Sequence, residues 1–513
     1  MTNPLYDTLL GRHADSGAPL LHLSDGATLS YAEMTDRVAR ISGYLRAAGL
    51  NKGDRLAMQC PKSPEALALY LACLHSGAIF VPLNTAYTPD EVAYFIGDAT
   101  PKILVADPAS VNALAPEAEK AGTKLLSLDA EERGSFRDAV AGARPACEPV
   151  ACGPDDLACL LYTSGTTGRS KGAMLTQGNL LSNARTLTSS WAFSRDDVLV
   201  HALPIFHAHG LFVACNVLMN AGGSMIWLPA FTVDGVLEAL PRATTMMGVP
   251  TFYTRLLGDA RFTRDLTAHM RLFTSGSAPL LAETHARFSD RTGLAILERY
   301  GMTETGMNTT NPYHGERRAG TVGFPLDGVE LRVTGKDGQQ VPRGQTGMIE
   351  VRGPNVCKGY WQMPEKTAEE LREDGFFITG DLGRIDADGY VTIVGRKKDL
   401  IISGGYNIYP KEVEQLLDGQ PGIRESAVIG LPHSDFGEGV VAVLAAEDGS
   451  PLDLAAIKEA VAAKLASFKR PKEYLVVDAL PRNTMGKVQK NVLRADYAAL
   501  FQTPDRPAHS TDA

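Results

Sequence analysis

Tyr162-Thr163-Ser164-Gly165-Thr166-Thr167-Gly168-Arg169-Ser170-Lys171-Gly172, YTSGTTGRSKG, packs five Ser/Thr hydroxyls, three glycines and two cations into eleven positions. It follows an apolar, strand-like run at 157–162 (LACLLY) and precedes a segment of helical period at 179–190. A loop at such a junction leaves backbone N–H groups unpaired and aimed at an anion. Glycines let that backbone come close, hydroxyls add donors, and Lys171 adds a mobile point charge. The composition asks for a polyphosphate, with a plain flexible surface loop as the alternative reading. Its spacing departs from G-x-x-x-x-G-K-[ST], because Gly168 comes three positions after Gly165 and Lys171 three after that, which disfavours a Walker-type kinase or ATPase.

Outward from the loop the chain alternates. Apolar runs at 102–106 (KILVA), 157–162, 198–203 (VLVHAL) and 224–228 (SMIWL) are separated by segments of helical period such as 64–76 and 280–292. That pattern predicts parallel strands covered by helices. At 513 residues the chain is too long for one core, and three or so domains are expected. Past Gly395-Arg396-Lys397-Lys398-Asp399 the texture changes to a helix at 410–417, strands at 425–430 and 440–446, a helix at 454–465 and a strand at 474–477. The expected fold is therefore α/β, with a large N-terminal multi-subdomain region over 1–397 and a small, mobile C-terminal α+β domain over 398–500. A tail over 501–513 lacks apolar anchors and is expected to be disordered.

Net charge is −9 and no block of Lys and Arg stands out, which argues against nucleic acid as the main partner while leaving room for a local phosphate pocket. No cationic start with an apolar run opens the chain, and no apolar stretch reaches the roughly 18 residues a membrane helix needs. No membrane partner and a cytoplasmic location are the expectation. The seven cysteines are odd in number and form no C-x-x-C pair, which fits reduced thiols better than disulfides or zinc.

YTSGTTGRSKG resembles the phosphate-binding signature of the adenylate-forming acyl-CoA synthetases, the family that also holds firefly luciferase and the adenylation domains of peptide synthetases. The likeness continues through SGSAP (275–279), YGMTE (300–304), TGD (379–381), GR followed by KKD (395–399) and PRNTMGK (481–487), in that order over nearly the whole chain. HALPIFHAHGLF (201–212), GVPTFYTRLL (248–257) and PRNTMGKVQKNVLR (481–494) look most like the malonyl-CoA synthetase branch. The resemblance implies a carboxylate attacking the α-phosphate of ATP, expulsion of pyrophosphate, and transfer of the acyl group to the CoA thiol. ATP, Mg²⁺ and CoA are then required, and charge builds on oxygens that fixed donors stabilise.

The roles it implies fall on particular residues. Thr163, Ser164, Gly165, Thr166, Thr167, Gly168 and Lys171 would cradle the phosphates. Glu304 would bind magnesium together with phosphate oxygens, and Thr303 would touch the α-phosphate. Gly276, Ser277 and Ala278 would lie against the adenine, with Tyr300, Gly301 and Met302 nearby and Tyr300 stacking on its other side. Asp381 would accept the ribose hydroxyls with Arg396 beside it, where the bare residues signal only a turn. Lys487 would hold the attacking carboxylate and α-phosphate during adenylation. The small domain would then rotate about Lys398, so that Ser403, Gly404 and Gly405 line the thiol tunnel. Lys469, Arg470 and Lys472 would either meet the CoA phosphates or form a solvated face. Exposure of Lys487 after rotation would make it a target for a lysine acetyltransferase, whose modification would stop adenylation and spare thioester formation.

For the acid, two residues carry the expectation. His207 matches the position bordering the acyl pocket; a structural histidine, or a metal pair with His209, are its alternatives. Arg255 sits in an apolar segment where a cation needs a partner, and the second carboxylate of a small dicarboxylic acid would supply one as a bidentate pair. Malonate or methylmalonate follows if Arg255 faces the pocket, a monocarboxylate if it does not. A carrier-loading adenylation enzyme shares the first half-reaction, but no carrier module follows Lys487 in this sequence, so free CoA is preferred. Oligomeric state is left open.

Overall fold

A computed structural model describes residues 2–163, 170–447, 451–483 and 486–501. The chain divides into two compact units, residues up to 331 with 350–378, and residues 332–349 with 379 onward. The α/β class read from the sequence is what the chain adopts.

In the first unit a six-stranded sheet runs in the order Lys124–Ser127, Ile103–Ala106, Arg55–Gln59, Ile79–Pro82, Leu157–Thr163, Lys171–Thr176. All neighbours are parallel except the last pair. A nine-stranded sheet centres on parallel strands Leu297–Met302, Leu272–Ser275, Thr245–Gly248, Val198–His201, Ser224–Trp227 and Pro19–His22. Helices start where local chemistry dictates. Ser63 caps Pro64–His75 by accepting from the Ala66 N–H, and Thr88 with Glu91 forms a reciprocal box at Pro89–Ala99. Pro64–His75 is buried along nearly its whole length, which matches its uniformly apolar sequence.

In the second unit, Ile423–His433 pairs with Gly437–Ala446, which also pairs parallel with Glu473–Val477. Alternate residues feed two cores. Val428, Val440, Ala442 and Leu444 face one, while Ile429, Leu431, Val441 and Val443 face the other. A four-stranded sheet in the order Glu330–Thr334, Gly347–Arg352, Phe377–Ile385, Val391–Arg396 carries Asp381 and Arg396 on paired strands.

One local expectation is corrected. The polyphosphate loop does not run from a strand into a helix. Lys171–Thr176 is a strand antiparallel to Leu157–Thr163, with Thr163 opposite Lys171, and the helix begins only at Gln177. The two described flanks of the loop are therefore antiparallel strands, and the helix begins past the second of them. Ser164, Gly165, Thr166, Thr167 and Gly168 lie outside the described residues.

Candidate active site

On the phosphate side, Lys171 is 6 % exposed and is held in place. Its Nζ lies 3.0 Å from Glu370 Oε1 and 4.1 Å from the centre of the Tyr360 ring. The Tyr360 hydroxyl reaches Glu370 Oε2 at 2.5 Å and Glu304 Oε1 at 3.1 Å, and Thr163 Oγ1 lies 3.4 Å from the same Glu304 oxygen. Lys171 is thus a paired cation here rather than a mobile one. Burial favours the neutral form of Glu370, yet the Tyr360 hydroxyl, Lys171 and Lys366 outweigh it and hold its carboxyl below the usual range. Burial first, then the charges of Glu304 and Glu370, push the Cys357 thiol up to about 12.

Glu304 occupies a tight turn between Leu297–Met302 and Gly306–Thr310. A side chain at 301 would collide with the Gly306 carbonyl, and Gly306 itself has φ +57°, so the turn requires both glycines. Thr303 sits at its tip, half-buried. Among the described residues no group of three or more His, Cys, Asp and Glu could hold a metal, so the His207–His209 metal pair has no third ligand there. A buried carboxylate, Glu304, and a half-buried one, Glu370, around one hydroxyl suit a cation that takes the rest of its shell from phosphate and water, which is how Mg²⁺ binds. Glu304 would hold it.

A second cluster forms at the carboxyl ends of the nine-stranded sheet, where open α/β sheets bind ligands. Ser277 is held at φ +69°, a conformation costing on the order of 1–3 kcal/mol for a non-glycine residue. Its Oγ lies 3.2 Å from His209 Nδ1, and the His209 N–H donates to His207 Nδ1 at 3.2 Å. Beside them stands Arg299, 4 % exposed, whose Nε and Nη2 have no hydrogen-bond partner among the described residues. Its guanidinium fills the space a side chain at Gly276 would take, 2.4 Å from that Cβ position. Burial pushes Arg299 down to about 10, Tyr253 opposing. Burial and the Arg299 charge together push His207 down to about 4 and His209 well below its ordinary value. The result is two neutral imidazoles and a cation lacking an anion.

Arg255 is not part of this cluster. Tyr253, Leu256 and Leu257 form the buried side of helix Pro250–Leu257, and Arg255 points to the exposed side. Arg255 thus does not face this cluster, the case for which the sequence reading named a monocarboxylate; the buried cation here is Arg299, which sequence reading missed. Its only signal was a cation two residues inside the strand that leads into YGMTE. Gly276 and Ser277 join this cluster, Ala278 follows half-buried, and Tyr300, Gly301 and Met302 continue the strand beyond Arg299.

In the second unit Asp381, 2 % exposed, pairs with Arg396 Nε at 2.7 Å, and its backbone N–H donates to Thr379 Oγ1 at 3.0 Å. Gly380 at φ +73° makes the kink. Lys487 stands on a turn closed by an Asn483 Oδ1 to Lys487 N–H bond of 2.9 Å and by Gly486 at φ +74°; Thr484 and Met485 lie outside the described residues. Its ammonium is pushed down to about 8, first by surrounding protein and next by Arg396, with Lys398 adding and Asp381 and Asp399 opposing. The residue is exposed, so solvent weakens the burial part and the neighbouring cations are the durable cause. Gly404 and Gly405 form the two-residue turn between Ile401–Ser403 and Tyr406–Ile408, at φ +56° and +81°. That turn type requires glycine on its own account. Phe436, Phe468 and Tyr406 are exposed, with Lys472 Nζ 3.6 Å from the Phe436 ring. An aromatic face with a cation on it accompanies the Lys469–Lys472 stretch, which sequence reading saw only as basic.

Residues 11–361 match the model of the AMP-binding enzymes, and 412–487 match that of the AMP-binding enzyme C-terminal domain. The chain is 56% identical to ATP-bound MatB from Rhodopseudomonas palustris, with a TM-score of 0.96 over 98% of this chain and 100% of that one. It is 40% identical to a feruloyl-CoA synthase from Amycolatopsis sp, over 92% of this chain and 94% of the relative. It is 33% identical to a malonate–CoA ligase of Arabidopsis thaliana, over 92% of this chain and 85% of the relative. No helix among the described residues is long and apolar enough to cross a membrane.

Proposed function

Because this chain belongs to the AMP-binding enzyme family, we propose that it joins malonate to CoA in an ATP-dependent ligation through malonyl-adenylate, releasing AMP and pyrophosphate. The relatives are CoA ligases of different acids, so the acid has to be read from the pocket. One observation carries it: Arg299 is a buried cation with two unpartnered donors beside two neutral histidines. A buried guanidinium wants a carboxylate, and a short dicarboxylate brings one to Arg299 while its other carboxylate reacts. An uncharged ring would leave the charge unanswered. The likeness to MatB and to the malonate ligase supports the same acid, and methylmalonate, with one extra methyl, fits the same logic.

In this reading a malonate carboxylate oxygen attacks the α-phosphorus and the bond to pyrophosphate breaks. The CoA sulfur then attacks the acyl carbon, and AMP leaves. Thr163, Lys171 and the loop between them bind the departing phosphates, and Thr303 the α-phosphate. Glu304 would hold Mg²⁺, which would supply charge neutralisation on the phosphates. Ser277, Ala278 and Tyr300 border the adenine, and Asp381 accepts from the ribose with Arg396 orienting it. Lys487 neutralises the attacking and α-phosphate oxygens, so the C-terminal region beyond hinge residue Lys398 has to change position between half-reactions. Gly404 and Gly405 would then pass the thiol, and the aromatic and basic face of Phe436, Phe468, Lys469 and Lys472 suits the CoA nucleotide.

The exposed turn bearing Lys487 also supports control by a lysine acetyltransferase, and the seven free cysteines favour a reducing, cytoplasmic setting. Acid-dependent pyrophosphate release over malonate, methylmalonate, succinate, acetate and benzoate tests the substrate. Malonate and methylmalonate should lead. Equal rates with acetate would remove the assignment.

A further inference from the structure

Lys62 precedes the capped helix Pro64–His75 and reaches across to the nine-stranded sheet. Its Nζ donates to the His201 carbonyl at 2.8 Å and the Leu228 carbonyl at 2.6 Å, and lies 2.8 Å from His201 Nδ1 and 4.2 Å from the centre of the Trp227 ring. Burial pushes the Lys62 ammonium down to about 7; its charged form, with three donors and no acceptor, uses all three. With Lys62 charged, His201 Nδ1 accepts, which leaves the ring proton on Nε2. That nitrogen lies 2.9 Å from the Gly210 carbonyl and 3.3 Å from Cys215 Sγ.

Gly210 and Cys215 belong to the π-helical segment His209–Cys215, a rare geometry associated with functional sites. Gly210 is pressed against the Pro204 carbonyl, 2.0 Å from where its Cβ would stand, so the segment has little freedom there. The residue before it, His209, bonds Ser277 and His207. From Lys62 to the pocket wall the contacts form an unbroken series.

We propose that Lys62 and His201 are positioning residues for the acid pocket: the Lys62 ammonium fixes His201 in its Nε2–H tautomer, and that N–H holds the Gly210 carbonyl and with it the turn presenting His207 and His209. The inference rests on the reading of that pocket as the acid site. Neither residue touches the acid, in contrast to Arg299. Loss of the Lys62 donors frees His201 to carry its proton on Nδ1. The bare Nε2 would then face a carbonyl oxygen, and the two lone pairs would repel.

The test uses the full-length enzyme with ¹⁵N-labelled histidine. Wild-type His201 should show a protonated Nε2 and an unprotonated Nδ1. Lys62→Met should lose that pattern and raise the KM for malonate roughly tenfold, the KM for ATP staying within about twofold. His201→Gln keeps a donor near the Nε2 position, so adding Lys62→Met to it should have little further effect on the malonate KM. An Nδ1–H tautomer in the wild type would overturn the proposal, a measurement that needs no variant to fold. So would a Lys62→Met enzyme with unchanged malonate KM, or with malonate and ATP KM raised alike. Arg299→Ala separates the two readings. If it leaves malonate KM unchanged, the acid-pocket assignment fails; if it raises that KM while Lys62→Met does not, only the positioning role fails.

Discussion

Replacing Arg299 with methionine keeps much of the side chain's length and removes its charge. Arg299 is 4 % exposed, and among the described residues no carboxylate pairs with it. Removing one partner of a buried, hydrogen-bonded ion pair costs about 3–5 kcal/mol. At 1.4 kcal/mol per decade, kcat/KM for malonate should fall between about a hundredfold and a few thousandfold. Propionate, which offers no second carboxylate, should be unaffected or improved, because an apolar side chain no longer demands an anion. The free enzyme should lose no stability and gain some, since an uncompensated buried charge has gone. Burial pushes the guanidinium only down to about 10, so malonate preference in the wild type should be flat from pH 7 to 8.5 as far as this residue is concerned. The assay is initial-rate pyrophosphate release with each acid at saturating ATP, alongside thermal melts. Equal proportional losses on malonate and propionate, or a malonate rate that does not change, would refute the reasoning.

Further outcomes follow from the other clusters. Lys487 is needed as a cation and its ammonium is pushed down to about 8, so single-turnover adenylation should decline as pH rises through about 8. Lys487→Ala should lose that half-reaction while still making thioester from supplied malonyl-adenylate; a variant that adenylates normally would contradict this. Lys171 must exchange Glu370 for phosphate, so Glu370→Gln should lower the KM for MgATP, and a rise would count against the exchange. His75 is 2 % exposed, and burial with Arg46 pushes it down to about 4. Its folded pKa lies below its unfolded value near 6.5, so the stability it confers is complete above pH 6.5 and drains as pH falls toward 4. The total is on the order of 3 kcal/mol. Urea melts of His75→Gln should be less acid-sensitive over that window, and identical pH slopes would remove the explanation.

The strands and helices were legible because their apolar periods are undiluted, as in KILVA and the almost wholly buried 64–75 helix. The acid site was less so. Helical period places Tyr253, Leu256 and Leu257 on one side of their helix, and Arg255 falls off it; an arginine in an apolar sequence is not thereby an arginine in an apolar place. Arg299 hides for the opposite reason. Leu297, Glu298 and Arg299 are all buried, so the strand shows no alternation that could mark which side chain faces a pocket. The hairpin after the phosphate loop was missed because KGAMLT is short and merges into the helical period that follows. Glu370 and Tyr360 meet Lys171 from about two hundred residues away, and Lys62 meets His201 from the other sheet. Contacts of that range leave no mark in a local pattern.

The central claim is that the acid becomes a mixed anhydride with AMP before any thiol takes part. Exchange of labelled pyrophosphate into ATP, measured without CoA, isolates that step. Malonate should drive the exchange, omission of acid should abolish it, and AMP should be the nucleotide product once CoA is added. Release of ADP and phosphate, or exchange that appears only with CoA present, would contradict the account.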